Sequence, residues 1–140
     1  MANIVYTQAT GKFGDGSYAW KASGGTIFKA TLLGTGYTPN VDHDTIADIG
    51  ANELAVSRVT LTLQDKSIDD TLDLVKYLFS NTLSFASIPA IVRYCLIVKE
   101  NTPDSTTELV FCNQLTSDVG SGLTLQLTCN AAGLFTTKNV

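Results

Sequence analysis

The stretch that most constrains the fold is the apolar run at residues 91–99, Ile-Val-Arg-Tyr-Cys-Leu-Ile-Val-Lys. In an extended chain, successive side chains point to opposite faces, and both faces of this run are mostly apolar. A short, β-branched segment of this kind is typical of a central strand that is covered on both sides. Pro89, which has no backbone N–H, precedes the run, and turn-forming residues follow it. The sequence therefore predicts a buried central strand with defined ends.

Further segments with strand-like patterns occur along most of the chain. They are residues 26–33, the alternating stretch from residue 56, and residues 82–86, 108–115 and 123–129. Residues 65–80 fit either a helix or strands, and we favour strands because the neighbouring segments are all β. Turns marked by glycine and proline separate these segments. Together they predict an all-β fold, an antiparallel β-sandwich or partly closed barrel of about 6–8 short strands.

One short helical turn is predicted near residues 43–49. Asp42 or Asp44 would cap it by accepting amide hydrogens that have no partner within the helix. Ile46 and Ile49, three residues apart, would then face inward. A glycine follows directly and would end the turn.

The only histidine, His43, lies between two aspartates, which raises the question of catalysis or metal binding. A catalytic triad needs a recognisable nucleophile, and the sequence contains no G-x-S-x-G motif. A calcium loop starting at Asn40 would need glycine and glutamate where Thr45 and Ala51 stand. A looser site of oxygen ligands stays open, but the pattern favours a polar loop whose carboxylates cap the turn. We therefore predict no catalytic residue, no metal and no cofactor, and so no enzyme.

Residues 1–25 place glycines among aromatic residues. This segment could be an extended N-terminal arm that docks on a neighbouring protein, an edge hairpin with a short strand at residues 17–22, or a segment packed on its own domain. If it docks, the candidate partner-contact residues are Ile4, Tyr6, Phe13, Tyr18 and Trp20. Trp20 with Tyr18 could also stack on a sugar ring. The sequence leaves these alternatives open.

The composition excludes several classes of protein. Hydrophobic residues make up 44% of the 140 residues and charged residues only 16%, so the chain is globular with little charge for its surface. Part of that surface is therefore expected to contact another protein. The net charge of −4, without a basic run, argues against a nucleic-acid partner. We expect one domain, residues 1–140, with no membrane segment and no signal peptide.

The three cysteines, Cys95, Cys112 and Cys129, are an odd number without a secretory pattern. This predicts reduced thiols in a protein made in a cytosol. We expect each cysteine at a buried position on successive strands, because a free cysteine behaves as a small hydrophobic residue. The sequence has no C-x-x-C pair of the kind that metal sites use.

Several short pieces follow one another in a defined order. In the first half they are residues 27–33, Gly-Tyr-Thr-Pro-Asn at 36–40, Asp-His-Asp at 42–44, Asp48-Ile49 and Asn52-Glu53. In the second half they are residues 70–85, 91–98, 109–113 and 123–133. This order resembles a family of small tailed-phage virion proteins. The family's Gly-Tyr-x-x-Gly-Gly run and the tryptophan of its Asp-rich strands are absent here.

The resemblance implies a non-enzymatic part of a phage particle, and most simply a capsid cement or decoration protein. Such a protein would stabilise the shell through its arm and edge strands, with the major capsid protein as partner. The resemblance also implies a homo-oligomer, a dimer or trimer, located in the virion after synthesis in the host bacterial cytoplasm. One alternative is a neck or tail component of the same particle. An alternative of another class is a carbohydrate-binding module for host attachment.

Overall fold

The computed structural model describes residues 3–71, 74–129 and 135–138, and these are mostly β-strand. The strands are β1 (Asn3–Val5), β2 (Lys29–Gly34), β3 (Val59–Thr60), β4 (Ser67–Asp69), β5 (Leu74–Tyr77), β6 (Leu83–Phe85), β7 (Val92–Lys99), β8 (Glu108–Val119), β9 (Leu125–Leu127) and β10 (Phe135–Lys138). The helices are α1 (Thr7–Gly14) and α2 (Ile46–Ile49), with 3-10 turns at Gly50–Asn52 and Asp104–Thr106. All pairings between these strands are antiparallel, so the predicted all-β, sandwich-like fold is confirmed.

The largest sheet has the strand order β1-β8-β7-β2-β3. Its middle strand is β7, and the consecutive side chains from Tyr94 to Val98 are all buried. A strand in this position has a partner on each edge and packed side chains on each face. This is why the sequence of residues 91–99 is apolar on both faces, and the predicted central strand is confirmed.

Two smaller sheets lie beside the central one. One has the order β10-β5-β4, and the other is the pair β6-β9. The strands β4 and β5 confirm the preference for strands within residues 65–80, and β6 confirms the strand predicted at residues 82–86. A contiguous cluster of buried apolar residues joins the elements.

Several strand boundaries differ from the prediction. The strand β8 runs to Val119, beyond the predicted end at residue 115, because its far end pairs with Val92 at the start of β7. The strand predicted from residue 56 is reduced to β3. Directly after β3, the N–H of Leu61 still donates to the carbonyl oxygen of Phe28 (3.0 Å). By Gln64 the backbone has left the central sheet, and its N–H donates to the carbonyl oxygen of Leu78 (3.0 Å). Pairing partners, which the sequence does not name, decide where these strands end.

Residues 1–25 form neither an extended arm nor an edge hairpin where the structure describes them. The strand β1 pairs with β8, α1 follows, and the chain then returns over the sheet with Tyr18 and Trp20 buried. No strand forms at residues 17–22. The remaining alternative, a segment packed on its own domain, is the one observed. Burying large rings removes much apolar area from water, and a core does this more completely than a mobile arm.

The predicted helical turn is confirmed as α2, with both of its isoleucines buried. Its capping differs from the prediction, because neither Asp42 nor Asp44 caps it. Instead, Oδ2 of Asp48 accepts hydrogen bonds from the backbone N–H groups of Thr45 (3.0 Å) and Asp44 (2.9 Å). Asp48 is the third residue of the helix and reaches back over the first turn, as in a capping box. The helix ends at Gly50, whose φ of 62° suits a residue without Cβ.

Candidate functional site

Six aromatic rings form one cluster on the face of the central sheet that carries Phe111. The members are Phe13, Tyr18, Trp20, Phe28, Tyr77 and Phe111. The ring centres of Trp20 and Phe28 are 5.2 Å apart, and Phe13 lies parallel to Phe111 with centres 5.7 Å apart. The indole N–H of Trp20 donates to the carbonyl oxygen of Leu78 (2.8 Å). The cluster is therefore part of the core, and its indole N–H has its hydrogen-bond partner inside the fold. On one side, Phe13, Tyr77 and Phe111 line an open cavity.

Three of the five residues predicted to contact a partner belong to the buried core, and the other two pack against it. Trp20 is 1% exposed, Tyr6 and Tyr18 are buried, and Ile4 and Phe13 are partly buried against the core. A protein partner or a sugar needs an open ring face, and these rings face other core residues. The structure therefore leaves Tyr6, Tyr18 and Trp20 no contact surface, whereas Ile4 and Phe13 stay partly exposed and remain contact candidates. Sequence reasoning could not see this, because aromatic residues between glycines look the same in an arm and in a core.

A chain of three polar side chains covers the opposite face of the sheet. The hydroxyl of Tyr6 lies 2.9 Å from that of Tyr37, which in turn lies 3.1 Å from Nδ1 of His43. Burial raises the pKa of both tyrosines, that of Tyr6 strongly, because the phenolate would lose its hydration. Both phenols therefore keep their protons and link the chain before α1 to the loop before α2. Sequence reasoning singled out His43 and Tyr6 but not Tyr37, whose role depends on contacts distant in sequence.

The loop around His43 is occupied by internal hydrogen bonds. Tyr37 holds Nδ1 of the imidazole, and two backbone amides hold the carboxylate of Asp48. Hydrogen bonds from the backbone amide of Thr45 and, to a smaller extent, from that of Asp44 keep the pKa of Asp48 below its ordinary value. In the described part of the chain, no group of three or more His, Cys, Asp or Glu side chains is placed to hold a metal ion. The arrangement fixes the loop in place.

Arg58 joins three carboxylates. Its guanidinium donates to Glu53 through Nε and Nη2 (both 2.9 Å), and through Nη1 to Asp104 (2.7 Å) and Glu100 (3.1 Å). Lys29 adds a second cation on Glu100 (3.0 Å). Hydrogen bonds from Lys29 and Arg58 hold the pKa of Glu100 below its ordinary value, and Arg58 does the same for Asp104. Because these charges are already paired, the network ties loops together and offers little charge to a ligand.

Cys95 and Cys112 are buried on neighbouring strands, as predicted for core positions. The prediction is wrong for Cys129, which is only partly buried and lies beyond the end of β9. The register pairs Leu96 with Cys112 and Cys95 with Asn113. The two buried thiols therefore point to opposite faces of the sheet and cannot form a disulfide without backbone movement. Burial raises the pKa of each to about 12, so both are unreactive thiols at neutral pH.

Two turns are joined at the end of the central sheet where β7 begins. The N–H of Ile88 donates to the carbonyl oxygen of Leu123 (3.0 Å), and the N–H of Gly122 donates to that of Ile88 (2.7 Å). Beside these bonds, Ile91 is 49% exposed and Leu123 is 56% exposed. We call the exposed residues Pro89, Ala90, Ile91 and Leu123 the apolar tip. Sequence reasoning missed it, because exposed and buried apolar residues carry the same pattern.

No protein-family model, curated protein or solved structure matches this chain. Within residues 3–71, 74–129 and 135–138, no helix is long and apolar enough to cross a membrane. The candidate site is therefore defined by exposed side chains of this chain itself. Its best-defined feature is the apolar tip, since large apolar side chains held in water by a rigid scaffold are suited to contact with another protein.

Proposed function

We propose that this chain is a non-enzymatic structural protein of a tailed-phage particle, and that it acts as a capsid cement or decoration protein. Its partner is the major capsid protein, and its location is the virion. The proposal rests on the resemblance of the sequence pieces, and the observation that supports it is the apolar tip. Binding to the assembled shell, and not to its separate subunits, stabilises the shell by mass action.

The apolar tip has the properties of a contact site. The paired ends of β7 and β8 and the hydrogen bonds of Ile88 hold it, so little conformational entropy is lost on binding. Arg93 and Asp118 form an ion pair on the adjoining residues of β7 and β8 (Nη2 to Oδ2, 2.8 Å). An apolar centre with a polar rim is the usual arrangement of a protein interface. The tip provides a contact surface that Tyr6, Tyr18 and Trp20 cannot provide, because these three are buried.

The first experiment measures the number of copies of this chain in purified virions relative to the major capsid protein, by quantitative mass spectrometry. A copy number comparable to that of the capsid protein is expected for a decoration protein. A small fixed number would instead favour a neck or tail component. Absence from the particle would contradict the proposal as a whole.

The second experiment tests the tip. The variant Ile91→Ser/Leu123→Ser should lose most of its binding to shells that lack this chain, as measured by co-sedimentation. Val41→Ser is the matched control, because Val41 is 43% exposed but lies in the loop before α2. Equal binding by the variant and the control would exclude the tip as the contact surface.

A further inference from the structure

We infer that two copies of this chain pair through β4, edge to edge and antiparallel, across a twofold axis at Ile68. The pairing would join two sheets into one, with the strand order β10-β5-β4-β4-β5-β10. This interface does not depend on the particle that contains the chain, so it goes beyond the proposed function. It assigns a specific surface to a homodimer.

Within the described residues, one edge of β4 is open. In the sheet β10-β5-β4, it pairs with β5 on one side, and no described strand pairs with its other side. The edge at β3 is closed by comparison, because the side chain of Asn81 accepts from the N–H of Thr62 (2.8 Å) and donates to the carbonyl oxygen of Thr60 (2.9 Å). An open edge presents unpaired backbone N–H and C=O groups that a second strand can bond.

Ile68 supplies the apolar centre of the proposed interface. It is 71% exposed, although its pairing with Val75 places it on the same face as Val75 and the buried Tyr77. The face of this sheet that packs on the core at Tyr77 therefore continues beyond the core, and Ile68 lies on the part that is exposed. In an antiparallel pair centred on Ile68, the two isoleucines lie directly opposite each other and are withdrawn from water.

The charges that flank β4 are self-complementary in this register. Lys66 and Asp70 lie two residues before and after Ile68, and both are exposed. Within the described part of the chain, neither side chain has a hydrogen-bond or ion-pair partner. Twofold antiparallel pairing sets Lys66 of each copy opposite Asp70 of the other. Parallel pairing in the same register would set lysine against lysine, which like-charge repulsion disfavours.

Sedimentation velocity on the purified full chain tests the inference. The unmodified chain should show a monomer–dimer equilibrium that weakens as salt screens the ion pairs. Lys66→Asp and Asp70→Lys should each weaken self-association at least about tenfold, because like charges then face each other twice. The double variant Lys66→Asp/Asp70→Lys should dimerise again, and an equal mixture of the two single variants should form a heterodimer. Asp42→Lys is the matched control and should leave the equilibrium unchanged.

Three results would overturn the inference: a chain that stays monomeric at every accessible concentration, a dimer that survives both charge reversals, or a failure of the charge swap to restore pairing. Circular dichroism checks that each variant is folded, which the exposure of Lys66 and Asp70 leads us to expect. The test uses no virion, so its failure is distinct from a failure of the proposed function.

Discussion

The two faces of the central sheet are covered in different ways. On the face of Phe111, six rings pack on one another, and their contribution comes mainly from apolar area and shape. On the face of Cys112, Tyr6 and Tyr37 cover the sheet with hydroxyls that continue to His43. The packing of the six rings needs no fixed hydrogen-bond geometry, but it is sensitive to lost side-chain volume. The cover on the face of Cys112 depends on each buried polar group keeping its partner.

The largest expected effect is the loss of a ring from the aromatic cluster. Trp20→Ala should lower the free energy of unfolding by about 3–5 kcal/mol, through lost burial and the cavity left behind. Urea unfolding followed by far-UV circular dichroism measures it. Lys21→Ala, at an exposed neighbouring position, should change the value by less than about 0.5 kcal/mol. A loss below about 1 kcal/mol for Trp20→Ala would mean that the cluster can refill the space.

A smaller effect is expected on the face of Cys112, which we call the polar face because the hydroxyls of Tyr6 and Tyr37 cover it. Tyr37→Phe removes the middle hydroxyl, so Tyr6 and His43 lose their partner, and the free energy of unfolding should fall by about 1–3 kcal/mol. The double variant Tyr6→Phe/Tyr37→Phe removes both ends of the buried bond. It should lose less than the sum of the single variants, in the same urea assay. Strict additivity would show that the two hydroxyls are not coupled.

Acid should separate the two faces. Because the pKa of Asp48 in the folded chain lies below its ordinary value of 3.8, its stabilising contribution is present above about pH 4 and is lost as the pH falls through the folded-state pKa. We expect the protection factors of the amides of α2, which correct for the slower intrinsic exchange in acid, to fall before the fluorescence of Trp20 changes. Asp48→Asn should already show the lower protection factors at neutral pH and little further change in acid. Simultaneous loss of both signals would show that the faces unfold as one unit.

The smallest effect concerns Thr31. Thr31 pairs with Leu96, which pairs in turn with Cys112, so the side chain of Thr31 lies on the polar face. Its buried hydroxyl has no hydrogen-bond partner within the described residues. Thr31→Val keeps the shape and removes this group, so the free energy of unfolding should stay equal or rise by about 0–1 kcal/mol. Thr31→Ser is the control that keeps the hydroxyl and loses a methyl group, and it should be destabilised. A marked loss for Thr31→Val would reveal a partner for the hydroxyl.

Local patterns predicted much of the fold. An apolar run on both faces led to β7, and isoleucines three residues apart led to α2, because burial and periodicity are properties of the local sequence. Strand ends were less predictable. The end of β8 depends on Val92, which is distant in sequence, and no local signal marks that pairing.

The candidate site was less predictable than the fold. The sequence marked Trp20 and Tyr18 as contacts, but the structure buries both, and it exposes Ile91 and Leu123 instead. Each of these side chains gains by leaving water, and only the space available decides which of them can do so. Tyr37 and Arg58 were missed for a similar reason, since their partners come from distant parts of the chain.

The sequence by itself determined the all-β class, the central strand and the short helical turn, because each follows from side-chain alternation or spacing within a few residues. The tertiary structure alone decided that the N-terminal rings pack in and against the core, that the two cysteines of β7 and β8 face apart, and that the tip and Ile68 are exposed. These outcomes depend on register and on competition for buried space between residues far apart in sequence. Only the folded chain resolves that competition.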